Sequence, residues 1–440
     1  MNALSGIRVI DLTMWFQGPV AGQHLADFGA EVIHVERPQG GDLGRGVRSI
    51  KAVPVGDWNQ YFLIINRNKK SLALDLNTDQ GREVMYKLVA EADVFLTNLT
   101  SENLEKWQVT YDHLREINPR LVYAMCSGFG PFTKSTRPSF DLTVQALTGI
   151  MTRLGEPSQP PIYLGMGSGD AMGGLMAAYG IMVALHARRK TGRGQFLDAS
   201  LYGAQLFLAA PTLQPYLATR DETYSKQQSR RNAPNPLSNT YPTRRDAPQE
   251  RLEVGEGDDA GSEDDASRRN APAGRLYDDG GGDKWLFVCM PNNQDAWAKL
   301  TTALYTPELA ADPRFATPEG RAEHNAALIA ALDTVFAKQT AAEWIYRFTA
   351  AGVVAAPINN LAEVAEDPQA WANNYFTKTH CDEVNRQVTV RGLPISLSKT
   401  PGSVRTLGPE LGQHTEEILT ETLGYTWDQV GELKEAGAIL

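Results

Sequence analysis

The chain has 440 residues, 42% hydrophobic and 21% charged, with a formal net charge of −10. Two or three compact units are expected from that length, and whole-chain disorder and collagen-like repeats are excluded. The negative balance argues against nucleic acid as the main partner but leaves room for a local basic pocket.

In chain order, the first forty residues read as β-α-β. Ile7 to Leu12 is a short apolar run suited to a buried parallel strand. GPVAGQHLADFGA follows at helical spacing, and Glu31 to Glu36 is the second strand. The unit recurs with a strand at Lys70–Leu76, a helix at Asp79–Ala92 and a strand at Val94–Leu96. Helices are expected at Thr100–Trp107 and Tyr111–Asn118, and a strand at Leu121–Met125. Strands alternating with helices imply a parallel sheet covered on both faces. Asp170–Arg188 predicts a long helix rich in small residues, and a glycine turn leads from it to a strand at Phe196–Ser200.

After about residue 215 the character changes. Residues 244–283 hold 12 acidic and 6 basic side chains, and 244–276 hold no aromatic. Such a segment cannot bury enough surface to offset its ordering entropy, which predicts a mobile insertion. Its flanks, Asn239–Thr243 and Lys284–Met290, read as two strands of a stretched hairpin. The hexapeptide SRRNAP occurs at Ser229–Pro234 and again at Ser267–Pro272. Helices dominate from Asp295 on, at Asp295–Leu304, His324–Lys338 and Ala341–Ala351. Strand-like Val388–Val390 precedes two short helices near His414–Leu423 and Trp427–Ala436.

No apolar run approaches the roughly 18–20 residues of a bilayer span, and no secretory signal is visible. Cys126, Cys289 and Cys381 are odd in number and far apart, unlike a disulfide framework or a zinc site. A cytoplasmic protein without a membrane partner or metal is expected.

The first β-α turn, TMWFQGPVAG, lacks the G-x-G-x-x-G needed for close approach to a pyrophosphate, which disfavours a nicotinamide or flavin site. Gln17 would overhang the carboxyl end of the sheet, where open α/β folds place ligands, or else be a solvated loop residue. Arg37, directly after the second strand, suits a phosphate or a surface ion pair. Within Gly165–Gly174, five of ten residues are glycine, and Asp170 is the one ionisable group. Such neighbours would admit a large substrate and leave backbone N–H groups free for an oxyanion. Asp170 equally suits a helix N-cap. Serine-hydrolase elbows, P-loops and His-Glu-x-x-His are absent from the sequence.

Several stretches together, among them LSGIRVIDLT, FGAEVIHVERPQGGD, NRNKKSLALDL, FDLTVQALTGIM, GDAMGGLMAAYGIMVALHARRKTGRGQFLDASL and LGQHTEEIL, resemble the class III CoA-transferases. This family includes formyl-CoA:oxalate and carnitine CoA-transferases and is related to α-methylacyl-CoA racemases. The resemblance implies an α/β fold with a Rossmann-like large domain, a smaller middle α+β domain, and an interlocked homodimer. Residues 1–210 would form the large CoA-binding domain, completed by about 395–440. Residues 211–243 would be linker and the start of the small domain, 244–283 the insertion, and 284–394 the small domain with its return linker.

By the same resemblance Asp170 is the catalytic aspartate and Gln17 its assistant. Arg37, Leu74, Asn98, Leu99, Lys106, Arg137 and Asp141 fall at or near CoA-holding positions. The racemase branch carries a histidine directly before the aspartate of FDLTVQALTG. Here that residue is Phe140, which cannot carry a proton, so CoA transfer is preferred over α-proton exchange at Asp170. A non-catalytic CoA-binding protein is the third alternative. Transfer would run through an aspartyl anhydride and an aspartyl-CoA thioester. No metal or redox cofactor would take part; coenzyme A thioester enters as substrate, with a carboxylic acid as its partner.

Overall fold

The structure, a computed structural model, describes residues 2–49, 56–132, 137–244 and 284–440. The chain divides into two units. One comprises Met1–Leu154, Pro160–Lys226 and Glu366–Leu440; the other comprises Gly155–Gln159 and Gln227–Ala365.

The first unit is built on β1 (Arg8–Leu12), α1 (Gln17–Asp27), β2 (Glu31–Glu36), α2 (Gln60–Ile65), β3 (Lys70–Ala73), α3 (Asp79–Ala90) and β4 (Val94–Thr97). These are followed by α4 (Ser101–Lys106), α5 (Tyr111–Ile117), β5 (Val122–Met125), α6 (Asp141–Leu147), α7 (Ser168–Thr191), β6 (Phe196–Asp198) and α8 (Leu201–Leu208). The six strands pair in parallel in the order β3-β2-β1-β4-β5-β6. Alternate strand residues feed two apolar layers. Ile10, Ile33, Leu72, Phe95 and Tyr123 join one, and Val9, Val32, Val94 and Val122 the other. A parallel sheet covered on both faces requires such continuous apolar strands.

The sequence order reverses between β1 and β4, and ligands of open α/β sheets bind outside the strand ends at that switch. The outer edge of β3 is closed from the far end of the chain. His414 N–H donates to Ser71 O (3.0 Å), Thr415 Oγ1 accepts from Ala73 N–H (3.1 Å), and Asp75 N–H donates to Ala438 O (2.8 Å).

Helix α7 is long and apolar enough to cross a bilayer, contrary to the sequence expectation. Here its buried face, including Gly173, Gly174, Ala177 and Ile181, packs in the core of the unit. A Cβ on Gly174 would come within 2.7 Å of the Gln17 carbonyl and of Val20, so only glycine allows α1 to lie this close.

The second unit is a three-stranded antiparallel sheet, β7 (Ser238–Thr243), β8 (Lys284–Cys289) and β9 (Ala355–Pro357), in that order. Helices Gln294–Leu304, Asn325–Phe336 and Ala341–Ala351 accompany it, with a core of Tyr241, Trp297, Phe315, Phe336, Trp344 and Phe348. The expected hairpin across the insertion forms, closing on the pair Thr243↔Lys284. The insertion and the second SRRNAP copy lie outside the described residues. The first copy seats Arg230 against Asp333 and over the Trp285 ring.

Residues 366–394, expected to hold the end of the small domain and its return linker, group with the first unit. The hairpin Phe376–Cys381/Arg386–Arg391 belongs to the first unit because Cys381, Val388 and Val390 pack against Trp58, Leu63, Ile64, Val404 and Leu407.

Because β7 and β8 already sit in antiparallel register at Thr243–Lys284, a turn of two to five residues suffices to join them. Replacing residues 245–283 by Gly-Asp-Gly should leave the melting temperature within a few degrees of wild type. Loss of cooperative melting would show that the insertion supports the fold.

Candidate active site

The turn after β1 reaches the switch point with Trp15 in the left-handed region, at φ 69°. Bulky residues rarely adopt this conformation without outside support. Neighbours on several sides supply that support. Asn98 accepts from Met14 N–H (3.0 Å) and donates back to Met14 O (2.7 Å). Asp42 Oδ1 accepts from Trp15 N–H (3.1 Å), and Lys69 Nζ donates to Pro19 O (2.9 Å). The turn delivers Gln17 into the first turn of α1. There its Nε2 donates to Ala199 O (3.0 Å), and its side chain packs against Gly173, where a Cβ would come within 2.6 Å of Nε2.

Asp170 lies in the first turn of α7, three residues before Gly173. The cap position belongs to Gly167 at φ 78°, so the expected N-cap role of Asp170 is corrected. The capping is done from outside by Asp141. Its carboxylate accepts from Gly167 N–H (2.6 Å), Gly169 N–H (3.0 Å), Gln145 Nε2 (2.9 Å) and Gln205 Nε2 (3.1 Å). Helix N-termini carry such unpartnered N–H groups, and a carboxylate is a strong acceptor for them. This also corrects the expected supply of free glycine N–H groups for an oxyanion, since Asp141 occupies two of them. Gln145 extends the clamp through Gly165 O and Leu164 N–H, each at 2.9 Å.

The Asp170 carboxylate is half-buried and accepts no hydrogen bond among the described residues. Burial, with the negative charge of Asp141 nearby, pushes its pKa up to about 7. Tyr61 is held well above the usual phenol range by burial and by the charges of Asp170 and Asp42. Its ring lies 5.4 Å from that of Phe16. Cys126 is likewise held protonated, by burial and by Asp11, Asp198 and Asp170.

Two clefts open here. The larger, of about 830 Å³, is lined by Gln17, Asn98, Leu99, Arg137, Asp141 and Asp170, together with Trp15, Phe16 and Phe140. The smaller, of about 330 Å³, is lined by Arg37, Leu74, Leu99 and Lys106, with Asn77 and Trp107. Met14, Leu99 and Asn103 border both, so the clefts adjoin. All nine candidate site residues thus line one cleft or the other.

Their side chains are not equally available. Arg37 is exposed, with Nε donating to Gly41 O (3.2 Å), and Lys106 is exposed at the end of α4. Arg137 lies over the Phe129 ring at 4.7 Å. Asn98 and Asp141 are engaged with the protein itself. Tyr61, Gln145 and Gln205 escaped the sequence reading. Gln145 stands four residues after Asp141 on α6, a spacing that could have flagged it. Gln205 carried no such signal.

The model of CoA-transferase family III matches residues 4–249 and 249–415. A succinyl-CoA–D-citramalate CoA-transferase of Chloroflexus aurantiacus is 31% identical over 98% of this chain and 96% of its own length. A succinyl-CoA:mesaconate CoA-transferase of Haloarcula hispanica is 33% identical over 96% of each chain. A formyl-CoA:oxalate CoA-transferase of Streptomyces avermitilis is 32% identical over 100% of both. Among solved structures, a CAIB/BAIF family protein from Brucella suis superposes with a TM-score of 0.74 at 30% identity, covering 96% of this chain and 100% of that one.

A raised carboxyl pKa is also a statement about stability. The unfolded Asp170 carboxyl titrates near 4, the folded one about 7. The folded state therefore binds the extra proton between them, and stability falls as pH rises through that window. Asp170→Asn removes this penalty. Its melting temperature should match wild type at pH 4 and exceed it at pH 8, as differential scanning calorimetry would show. A variant less stable than wild type at pH 8 would contradict the assigned environment.

Proposed function

The chain belongs to CoA-transferase family III and is a CoA-transferase, and from that premise we propose that Asp170 is the nucleophile that carries the acyl group and then CoA. The observation that carries the reading is the carboxylate itself: half-buried, accepting no hydrogen bond among the described residues, and lining the larger of two adjoining clefts. Desolvation raises both its basicity and its reactivity toward a carbonyl carbon.

In the proposed sequence an Asp170 oxygen attacks the thioester carbonyl, and the C–S bond breaks to release CoA thiolate and leave a mixed anhydride. The thiolate then attacks the Asp170 carbonyl of that anhydride, expelling the donor carboxylate and leaving an aspartyl-CoA thioester. The acceptor carboxylate attacks this thioester and again releases CoA thiolate. That thiolate finally attacks the acceptor's acyl carbon, forming the new acyl-CoA and restoring the Asp170 carboxylate. Protons balance without a net acid or base, and no resident cofactor enters. Gln17 has a second amide hydrogen beside the one given to Ala199 O, and this hydrogen would serve the developing oxyanion.

Arg37 and Lys106 suit the phosphates of CoA in the smaller cleft, with Leu74 and Leu99 against the adenine. Arg137 adds a cation to the larger cleft. Asp141 and Asn98 act in this reading by fixing the walls that CoA meets. Phe140, lining the larger cleft, offers no proton for α-exchange, which favours transfer over racemisation. The named relatives act on succinyl- or formyl-CoA with citramalate, mesaconate or oxalate, all dicarboxylic acids, so a dicarboxylic acid acceptor is part of the proposal.

A cytoplasmic homodimer is also part of it. On α7, Leu175, Tyr179, Met182 and Val183 remain 41%, 67%, 40% and 49% exposed, an apolar face that a second copy would cover. Light scattering should give twice the chain mass, and an active monomer would remove the interlocked arrangement.

Wild type quenched in hydroxylamine or borohydride after mixing with acyl-CoA should be modified on the Asp170 peptide. Asp170→Asn should keep its fold and lose turnover by several orders of magnitude, since an amide cannot form the anhydride. Turnover in wild type should rise with pH through about 7 as Asp170 ionises. Asp141→Asn, by removing the neighbouring charge, should move that limb to lower pH. Near wild-type transfer by Asp170→Asn, with deamidation excluded by mass, would place the nucleophile elsewhere.

A further inference from the structure

Beneath the turn that carries Trp15 and Gln17 lies a cluster of charges with almost no exposure to water. Asp11 (0%), His34 (0%), Lys69 (3%), Glu36 (3%) and Asp42 (3%) meet where β1, β2 and the segment before β3 converge. Lys69 Nζ donates to Asp11 Oδ2 at 2.7 Å, and Arg45 grips Glu36 through two bonds of 2.7 Å each. Three carboxyl groups thus meet the side chains of Lys69, Arg45 and His34. His34 Nδ1 lies 3.3 Å from Asp11 Oδ2 and its Nε2 lies 3.6 Å from Asp42 Oδ2. Neither ring nitrogen nor Asp42 Oδ2 has a well-formed hydrogen bond among the described residues, so the ring meets both carboxyl groups at ion-pair distance only.

Asp42 is the link from this cluster to the reaction. Its Oδ2 faces His34, while its Oδ1 accepts from Trp15 N–H (3.1 Å) and Gly44 N–H (2.8 Å). Asp11 fastens the same turn one step earlier, accepting from Thr13 Oγ1 (2.5 Å).

We propose that His34 is a positioning residue for CoA transfer: as a buried cation it holds Asp42 in place, and through Asp42 it fixes the left-handed Trp15 that sets Phe16 and Gln17 beside Asp170. The proposal rests on Asp170 being the reacting carboxylate. Taking away the charged neighbour of a buried acid is costly, and Asp42 would relieve that cost by moving, which frees the Trp15 turn. A displacement of about 1 Å at a positioning side chain can cost on the order of a hundredfold in rate.

Burial alone would lower the His34 pKa, but Asp11 and Glu36 push it up to about 9. Facing it are Asp11 from β1, Glu36 from its own strand and Asp42 from the following segment, with Lys69 and Arg45 bonded in turn to Asp11 and Glu36. Of these, Asp11 is held well below the usual carboxylate range, against its burial, by Lys69 and His34. The charge of His34 is therefore complete at neutral pH and is lost as pH rises through about 9.

The test compares kcat and KM for acyl-CoA from pH 6 to 10 in wild type, His34→Lys and His34→Gln, with a thermal melt at each pH. Wild-type kcat should fall above pH 9 while the protein remains folded. His34→Lys, which keeps its charge to higher pH, should move that limb upward. His34→Gln should be slower by on the order of a hundredfold at pH 7.5 and should show no limb near pH 9. A wild-type kcat level to pH 10, or an unmoved limb in His34→Lys, would overturn the proposal.

Should either variant fail to fold, histidine-selective NMR on wild type decides. A His34 resonance titrating near pH 9 in step with kcat supports the assignment, and a neutral ring at pH 7 refutes it. Adduct trapping on Asp170 is read separately. A negative His34 result with a trapped adduct leaves the nucleophile standing, whereas absence of the adduct removes the reading beneath both.

Discussion

The carboxylate of Asp141 is the fixed point of the site. It stands at the start of α6 and gathers two backbone N–H groups from the glycine turn with two side-chain amides, one from α6 and one from α8. A helix that begins on glycines has no side chain of its own to satisfy its first amides. Asp141 satisfies them from a neighbouring element, so the start of α7 is set by tertiary contact rather than by local sequence. Two effects follow from one interaction. Asp170 is held at a defined place in the first turn, and it sits beside a fixed negative charge that opposes its ionisation. Burial raises the Asp170 pKa first and Asp141 adds to it, so the contact that positions this carboxyl group also contributes to its basicity.

The sheet supplies the second constraint. The order β3-β2-β1-β4-β5-β6 opens a crevice between β1 and β4, and the turns after those strands border both clefts. Asn98, just after β4, grips Met14, just after β1, so the crevice walls are tied to each other. The close approach of α1 to α7 at Gly174 and the packing of Gln17 on Gly173 complete this frame. In this frame Asp170 and Gln17 line the same cleft.

Much of this was legible in the sequence because it depends on local pattern. The apolar runs at Ile7–Leu12, Glu31–Glu36 and Val94–Leu96 are strands because a doubly covered sheet leaves them no polar face, and the strands flanking the insertion pair as read. Asp170 stood out because it was the lone ionisable group among glycines. What escaped depends on contacts between distant residues. Asp170 looked like a cap because nothing local shows that Asp141 already does that work. Gln205 lies 64 positions from Asp141 and gave no signal. His34 reads as an ordinary strand residue until the third dimension sets it between Asp11 and Asp42. The hairpin at Phe376–Arg391 shows in the sequence only as strand-like Val388–Val390, because partners such as Trp58 to Ile64 lie far upstream.

The closure of β3 from residues 412–415 has a consequence for how the molecule is made. Ala73 and Thr415 are hydrogen-bonded yet stand 342 positions apart. At about 5–20 residues per second, a ribosome needs roughly 20–70 s to travel between them. For that interval β3 emerges as an open sheet edge, the kind of surface on which strands from other chains add. The carboxylate and the turn of Gln17 have all been translated long before, but the wall of the smaller cleft beside Asp75 still lacks its partner at Ala438. A nascent chain of this protein therefore carries Asp170 well before the edge of its sheet is closed, and for that interval β3 stays open to misassembly.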